Sequence, residues 1–298
     1  MIVFDLIKRS IDSFFSDNCF RMAAALSYYS VFSFAPILII AMYLVGFFWA
    51  PADVRGQVQE ELTTALGEEG AEQVKVMLER ARRPDGGFRA TMFSLGALLF
   101  GATGFMTELQ NALNDAWGVS PDKNRGIVSS FLFKRLLSAA MILVVALLLF
   151  GFLVASAVLA RASNYMTDWM PQGISVMMLH VANFLVSFIV TTILMVLVFQ
   201  ILPDAEIGWG DVAIGAFVTA VLFMLGKWAM ATYLANSDAG DAFGAAGALA
   251  VVLIWVYYSS CILLLGAEFT QAWTTRDGRE VKPERGAVRV PKDEGSLG

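Results

Sequence analysis

The chain has 298 residues, of which 57% are hydrophobic and 16% charged, with a formal net charge of −5. Soluble domains carry roughly a quarter charged residues, so this composition, with repeated apolar runs of more than about 18 residues, places most of the chain in or against a bilayer. The basic residues are scattered over several loops and form no stripe, so no nucleic-acid partner is predicted.

In chain order, Phe4, Ile7, Ile11 and Phe14 recur at steps of three and four while Asp5, Arg9, Asp12 and Ser16 face away. Residues 1–20 therefore read as an amphipathic helix on the membrane surface. The first apolar run starts too late, and lacks the small-residue site, for a cleavable signal. Apolar runs at 22–49, 90–112, 132–160, 175–201, 210–235 and 244–273 predict six transmembrane helices, an all-α membrane domain over 21–273. Barrel strands are excluded, because each needs only about ten alternating residues. Between the first two spans, residues 50–89 carry two short helical patterns split by "GEEG", predicting an external helical hairpin. Residues 274–298 are rich in Gly, Pro and charge, and predict a disordered tail.

Lysine and arginine placement sets the orientation. With both termini cytoplasmic, thirteen basic residues fall inside and seven outside. Trp49, Trp117, Trp169, Trp209 and Trp273 all fall at predicted span ends, where indoles favour the headgroup level. Both signals predict a multi-pass membrane protein with both termini cytoplasmic.

The second span carries Ser94, Ala97, Gly101, Gly104, Glu108, Asn111 and Asp115 at alternating steps of three and four, hence on one helix face. Small residues let another backbone approach, whereas the polar half must face protein or water. Glu108 lies about 27 Å down from residue 90 at about 1.5 Å per residue, close to the inner edge of the hydrocarbon. Glu268 and Arg21 share that level, so Arg21 is predicted to pair with one of the two carboxylates, with Asn111, Asp115 and Gln271 extending the network. Asn114 points to a neighbouring face and can join it. The layer reads either as a salt-bridged lock on spans one, two and six or as an inner gate.

Lys227 is costly inside a span, and its options are to snorkel outward, to pair with Asp238 or Asp241, or to meet an anionic substrate group. Tyr28, Tyr29, Ser27, Ser30 and Ser33 put hydroxyls in span one before Pro36, where they satisfy loosened carbonyls or line a cavity. Tyr28, Ser30, Ser33, Lys227, Trp255 and Tyr258 are the candidate contacts within the membrane. His180, one turn from Asn183, suits a helix-to-helix hydrogen bond, and Cys19 and Cys261 suit packing. With a single His and no GxSxG, HExxH or phosphate-binding loop, neither an enzyme, a cofactor nor a metal site is predicted.

Four blocks in order, "ALSYYSVFSFAPILI", "ELQNALNDAWGV", "LPDAEIGWGDVAIGAFVTAVLFMLGKWAMATYL" and "FGAAGALAVVLIWVYYSSCILLLGAEF", resemble the YihY and BrkB family of bacterial inner-membrane proteins. The resemblance covers roughly residues 5–273 and matches shared positions that include Tyr28, Pro36, Asn111, Lys227, Trp255 and Glu268. It implies six spans with both ends cytoplasmic. Members are labelled virulence or serum-resistance factors, transporters and, historically, ribonuclease BN, a label at odds with a chain that lacks metal-binding clusters. The resemblance brings no catalytic residue set. The function expected is transport or export of a lipid-like or envelope component. The alternatives are sodium/proton exchange centred on Glu108 and Glu268, with a cation as substrate, and a non-transporting scaffold for envelope integrity. Membrane lipids are the expected partners, and the sequence leaves the oligomeric state open.

Overall fold

The computed structural model describes residues 2–30, 104–122, 172–235, 247–276, 278–284 and 286–290, with further helical residues between 140 and 155. The predicted hairpin at 50–89, Ser33, Pro36, the upper stripe at Ser94, Ala97 and Gly101, and Asp238 and Asp241 lie outside the described residues. The described part is mostly helical. Its helices are α1 (Ile2–Ser16), α2 (19–30), α3 (104–117), α4 (Gln172–Ile201), α5 (Trp209–Ala235) and α6 (Gly247–Thr274). Three segments, Val181–Ile201, Trp209–Met230 and Val252–Thr274, are long and apolar enough to cross a bilayer.

α1 divides its surface into three arcs. Leu6, Ser10 and Phe14 are buried, and the helix packs on α6. Phe4, Ile7, Ile11 and Phe15 form an exposed apolar arc, with Phe4 at 72% and Phe15 at 61% exposure. Asp5, Lys8, Arg9 and Asp12 form the third, charged arc. Such three arcs, one packed, one apolar and one charged, are the pattern of an amphipathic helix. Phe14, which the spacing groups with the outward face, turns inward, and Phe15 takes its place. Asn18, with φ 56°, ends α1 in the left-handed conformation that asparagine tolerates. Beyond the turn, Phe20 meets the Phe14 and Phe15 rings edge-on at centroid distances of 5.0 and 5.6 Å.

α5 lies against both α4 and α6. Lipid is as apolar as leucine, so close packing of small residues must supply much of the helix association. The contact between α5 and α6 is reciprocal. A Cβ at Gly215 would overlap the Thr270 side chain, and one at Gly266 would overlap Thr219. Each threonine thus fills the space left by a glycine of the other helix. Both hydroxyls are satisfied within their own helices: Thr219 donates to the Gly215 carbonyl at 2.7 Å and Thr270 to the Gly266 carbonyl at 2.6 Å. Further along, Gly226 admits Tyr258 and Ile262. α4 is apolar nearly all round and presents Val181, Phe184, Leu185, Ile189 and Ile193 outward, as a lipid-facing helix does.

The expected disordered tail is instead ordered where described. Residues 278–290 fold back as β3 (Lys282–Pro283) and β4 (Ala287–Arg289). β4 pairs antiparallel with β1 (Val119–Pro121), which follows α3, while β3 pairs with β2 (Ala205–Glu206) in the α4–α5 turn. The physical reason is local. Val281 is buried in the shared apolar core, and the reversal between β3 and β4 is closed by the Ala287 N–H on the Glu284 carbonyl at 2.9 Å, with Gly286 at φ 100°. Val290 donates to the Gly118 carbonyl at 2.9 Å and Asp122 to the Gly286 carbonyl at 3.0 Å, which puts Pro121 opposite Ala287 at a non-hydrogen-bonded position. Glu284 donates to the Asp204 carbonyl at 3.0 Å, and Pro283 falls at the equivalent position of its pair. Prolines fit there because no ladder donor is required of them.

These contacts gather the start of α2, the ends of α3, α4 and α6, and the start of α5 at one end of the bundle.

Candidate functional site

That shared end carries the buried polar side chains of Gln110, Asn114 and Glu268, and its hub is Asp204. The residue sits in the tight α4–α5 turn, after Leu202 closes α4 with its N–H on the Val198 carbonyl at 3.3 Å. Asn114 of α3 donates through Nδ2 to Asp204 Oδ2 at 2.8 Å and accepts the Asp204 backbone N–H on Oδ1, also at 2.8 Å. Gln110, one helical turn earlier, donates through Nε2 to Asp204 Oδ1 at 3.2 Å. Both amide side chains are buried. The Asp204 carbonyl receives Glu284 of the tail, so one residue joins α3, the turn and the tail. A half-buried carboxylate in a tight turn gains from donors, and amides at i and i+4 of a single helix provide them.

This arrangement reorders the predicted layer. Gln110 and Asn114 face inward, whereas Asn111 and Asp115 are exposed and Glu108 is half-buried. α3 is polar on two adjoining faces, and the face that finds a buried partner becomes the packed one. Arg21 is exposed in the first turn of α2. The ion pairs formed among the described residues, Arg279–Asp211 at 2.9 Å and Arg289–Glu280 at 2.6 Å, do not include it. The structure therefore does not bring Arg21 to Glu108 or Glu268.

Glu268 is fully buried, and the Cys19 thiol donates to its Oε1 at 3.8 Å. Cys19, also fully buried, occupies the position beside Glu268 that depth alone assigns to Arg21. Gln271 is half-buried, and its carbonyl accepts the Thr275 N–H at 3.0 Å and hydroxyl at 2.9 Å, as befits the last turn of α6. Arg276 lies over the Trp273 ring, 3.8 Å from its centroid.

The membrane-level candidates separate into two groups. Ser27 donates to the Leu253 carbonyl of α6 at 2.7 Å, and Ser30 to the Ser27 carbonyl at 2.7 Å, which are packing roles. Trp255 meets Phe223 edge-on at 6.2 Å between α6 and α5, and Tyr258 fills the space at Gly226. Tyr28 and Lys227 instead point outward. Tyr28 is 61% exposed while Tyr29 packs against Gly104, and Lys227 is exposed beside Trp228 and Leu225. Asn183 is exposed on α4, and the His180 side chain lies outside the described residues. Among the described residues, no group of three or more His, Cys, Asp or Glu is placed to hold a metal ion.

Asp204 and the tail strands escaped the sequence reading. The available signals were the Pro-Asp turn in "LPDAE" and the i, i+4 spacing of Gln110 and Asn114.

The family model described as "Virulence factor BrkB" matches residues 10–290. A UPF0761 membrane protein of Nitrosospira multiformis is 26% identical over 287 residues, covering 95% of this chain and 64% of that protein. One from Psychrobacter sp. is 28% identical over 289 residues, with 94% and 50% covered, and one from Psychromonas ingrahamii is 23% identical over 259 residues, with 85% and 82% covered. The chain thus spans about half to two thirds of the first two relatives. No solved structure matches it. A match over nearly the whole length, on a helical chain with membrane-length apolar segments, establishes that this protein belongs to the virulence factor BrkB family of membrane proteins.

Proposed function

We propose that the chain is a six-span protein of a bacterial inner membrane, with both termini cytoplasmic, that moves a lipid-like or envelope component. The observation that carries this reading is the solvent-accessible polar stripe. Glu108, Asn111 and Asp115 on α3, and Arg21 and Tyr28 on α2, remain exposed or half-buried although a joint with buried amides lies on the adjoining face. Polar groups near an apolar span are costly in lipid and mark routes for polar or charged matter. An aromatic and small-residue level at Tyr28 and Gly104, passing to carboxylates and amides within about three helical turns, suits an amphiphile with an apolar tail and a polar head.

The test is reconstitution into vesicles bearing a headgroup-labelled phospholipid. Protein-dependent movement between leaflets, lowered at least tenfold by Glu108→Gln in a normally folded protein, supports the reading. Vesicles that move label no faster with protein than without it contradict it.

Full burial of Glu268 in an apolar helix favours one second reading, cation/proton exchange. It predicts sodium-dependent proton flux in the same vesicles, abolished by Glu268→Gln. Absence of such flux at every pH tested sinks it. Under a scaffold reading, both assays stay silent while the protein remains folded.

A further inference from the structure

The segment that closes the polar end is held by little. Its strands are two and three residues long, its one buried side chain among the described residues is Val281, and it enters through Gly278 at φ 74° and reverses at Gly286; beyond the ladders, the half-exposed Arg279 pairs with Asp211 of α5 at 2.9 Å, a solvent-screened contact. What it bridges is extensive. β4 is attached to the end of α3 through β1, and β3 to the α4–α5 turn through β2. Asp204 belongs to the second attachment and ties it to α3, giving its carbonyl to Glu284 and its carboxylate to Gln110 and Asn114.

We propose that residues 278–290 form a releasable latch, in which β3 and β4 leave together and thereby loosen the Asp204 joint between α3 and the α4–α5 turn. The tight turn from Glu284 to Ala287 couples the two strands, so one cannot detach without straining the hydrogen bond that closes it. Pro121 and Pro283 stand at non-hydrogen-bonded positions, where the pairing holds no ladder bonds to break. Segments that open below the global unfolding limit have these traits, namely few buried contacts and short ladders. The inference stands whether or not the chain transports anything.

Amide hydrogen exchange on the full chain in lipid nanodiscs tests it. Asp122, Val290 and Glu284 should exchange at one common rate, at least tenfold faster than the α5 amides around Thr219. A disulfide between Pro121→Cys and Ala287→Cys, in a Cys261→Ala background, should slow all three at least tenfold, including Glu284 in the other strand pair. Val281→Ser should speed all three alike, together with Ala116 and Trp117 at the end of α3. Exchange as slow as that of α5 overturns the latch. So does a disulfide that protects Asp122 and Val290 but leaves Glu284 unchanged, or a Val281→Ser chain in which the end of α3 is unaffected.

Discussion

Replacing Asn114 by alanine separates the two polar faces of α3. The side chain is buried and makes two hydrogen bonds at 2.8 Å, one to the Asp204 carboxylate and one from its backbone N–H. A bond to a charged group contributes about 1.5–3 kcal/mol and a neutral one about 1 kcal/mol. Asp204 is half-buried, so water can replace part of the loss, and the expected destabilisation is about 2–3 kcal/mol. At roughly 2–4 °C per kcal/mol for a chain of this size, the unfolding midpoint should fall by roughly 4–12 °C. Asn111→Ala, three residues earlier on the exposed face, should change stability by no more than about 0.5 kcal/mol. The assay is tryptophan-fluorescence thermal unfolding of both variants in one detergent. Asn111→Ala destabilising as much as Asn114→Ala, or more, would refute the assignment of the inward face.

The reciprocal packing of α5 on α6 predicts that Gly215→Val, which overlaps Thr270, costs about 3 kcal/mol or more, whereas Gly210→Ala, with nothing within 4 Å, is nearly silent in the same unfolding assay. Equal midpoints for the two would remove the tight contact from the account. On α1, Phe4→Ser combined with Phe15→Ser should cost about 3 kcal/mol of lipid attachment and expose residues 1–18 to protease in vesicles, while Asp12→Ser should not. Unchanged protection in the double variant would show that the outward arc does not meet lipid. Lys227→Leu removes an exposed charge and should leave the unfolding midpoint unaltered within about 0.5 kcal/mol; a large loss would reveal a buried partner.

The residues themselves show why some of this was legible and some was not. Apolar length gives α4, α5 and α6 to within three residues at each end, since each is long and apolar almost all round. The amphipathic period likewise gives α1. Periodicity also groups Glu108, Asn111 and Asp115 on one face, but it cannot say which of two adjoining polar faces of α3 is packed. That choice depends on Asp204, some 90 residues away, and so on tertiary structure. Depth arithmetic brings Glu268 level with the start of α2 but cannot resolve which residue of that turn meets it, and it is Cys19 of that turn that donates to it. Strands of two or three residues have no readable period, so the tail's composition suggests disorder while pairing with β1 and β2 orders it.

The claim at the centre of the account is that the exposed α3 stripe is the wall of a path for amphiphiles. A single cysteine at Asn111, in a Cys261→Ala background where Cys19 is buried, can be labelled with a bulky, water-soluble maleimide in vesicles carrying headgroup-labelled phospholipid. The account predicts that labelling goes to completion and lowers movement between leaflets at least tenfold, while the same reagent leaves the Cys261→Ala parent unaffected. Undiminished lipid movement after complete labelling would contradict it.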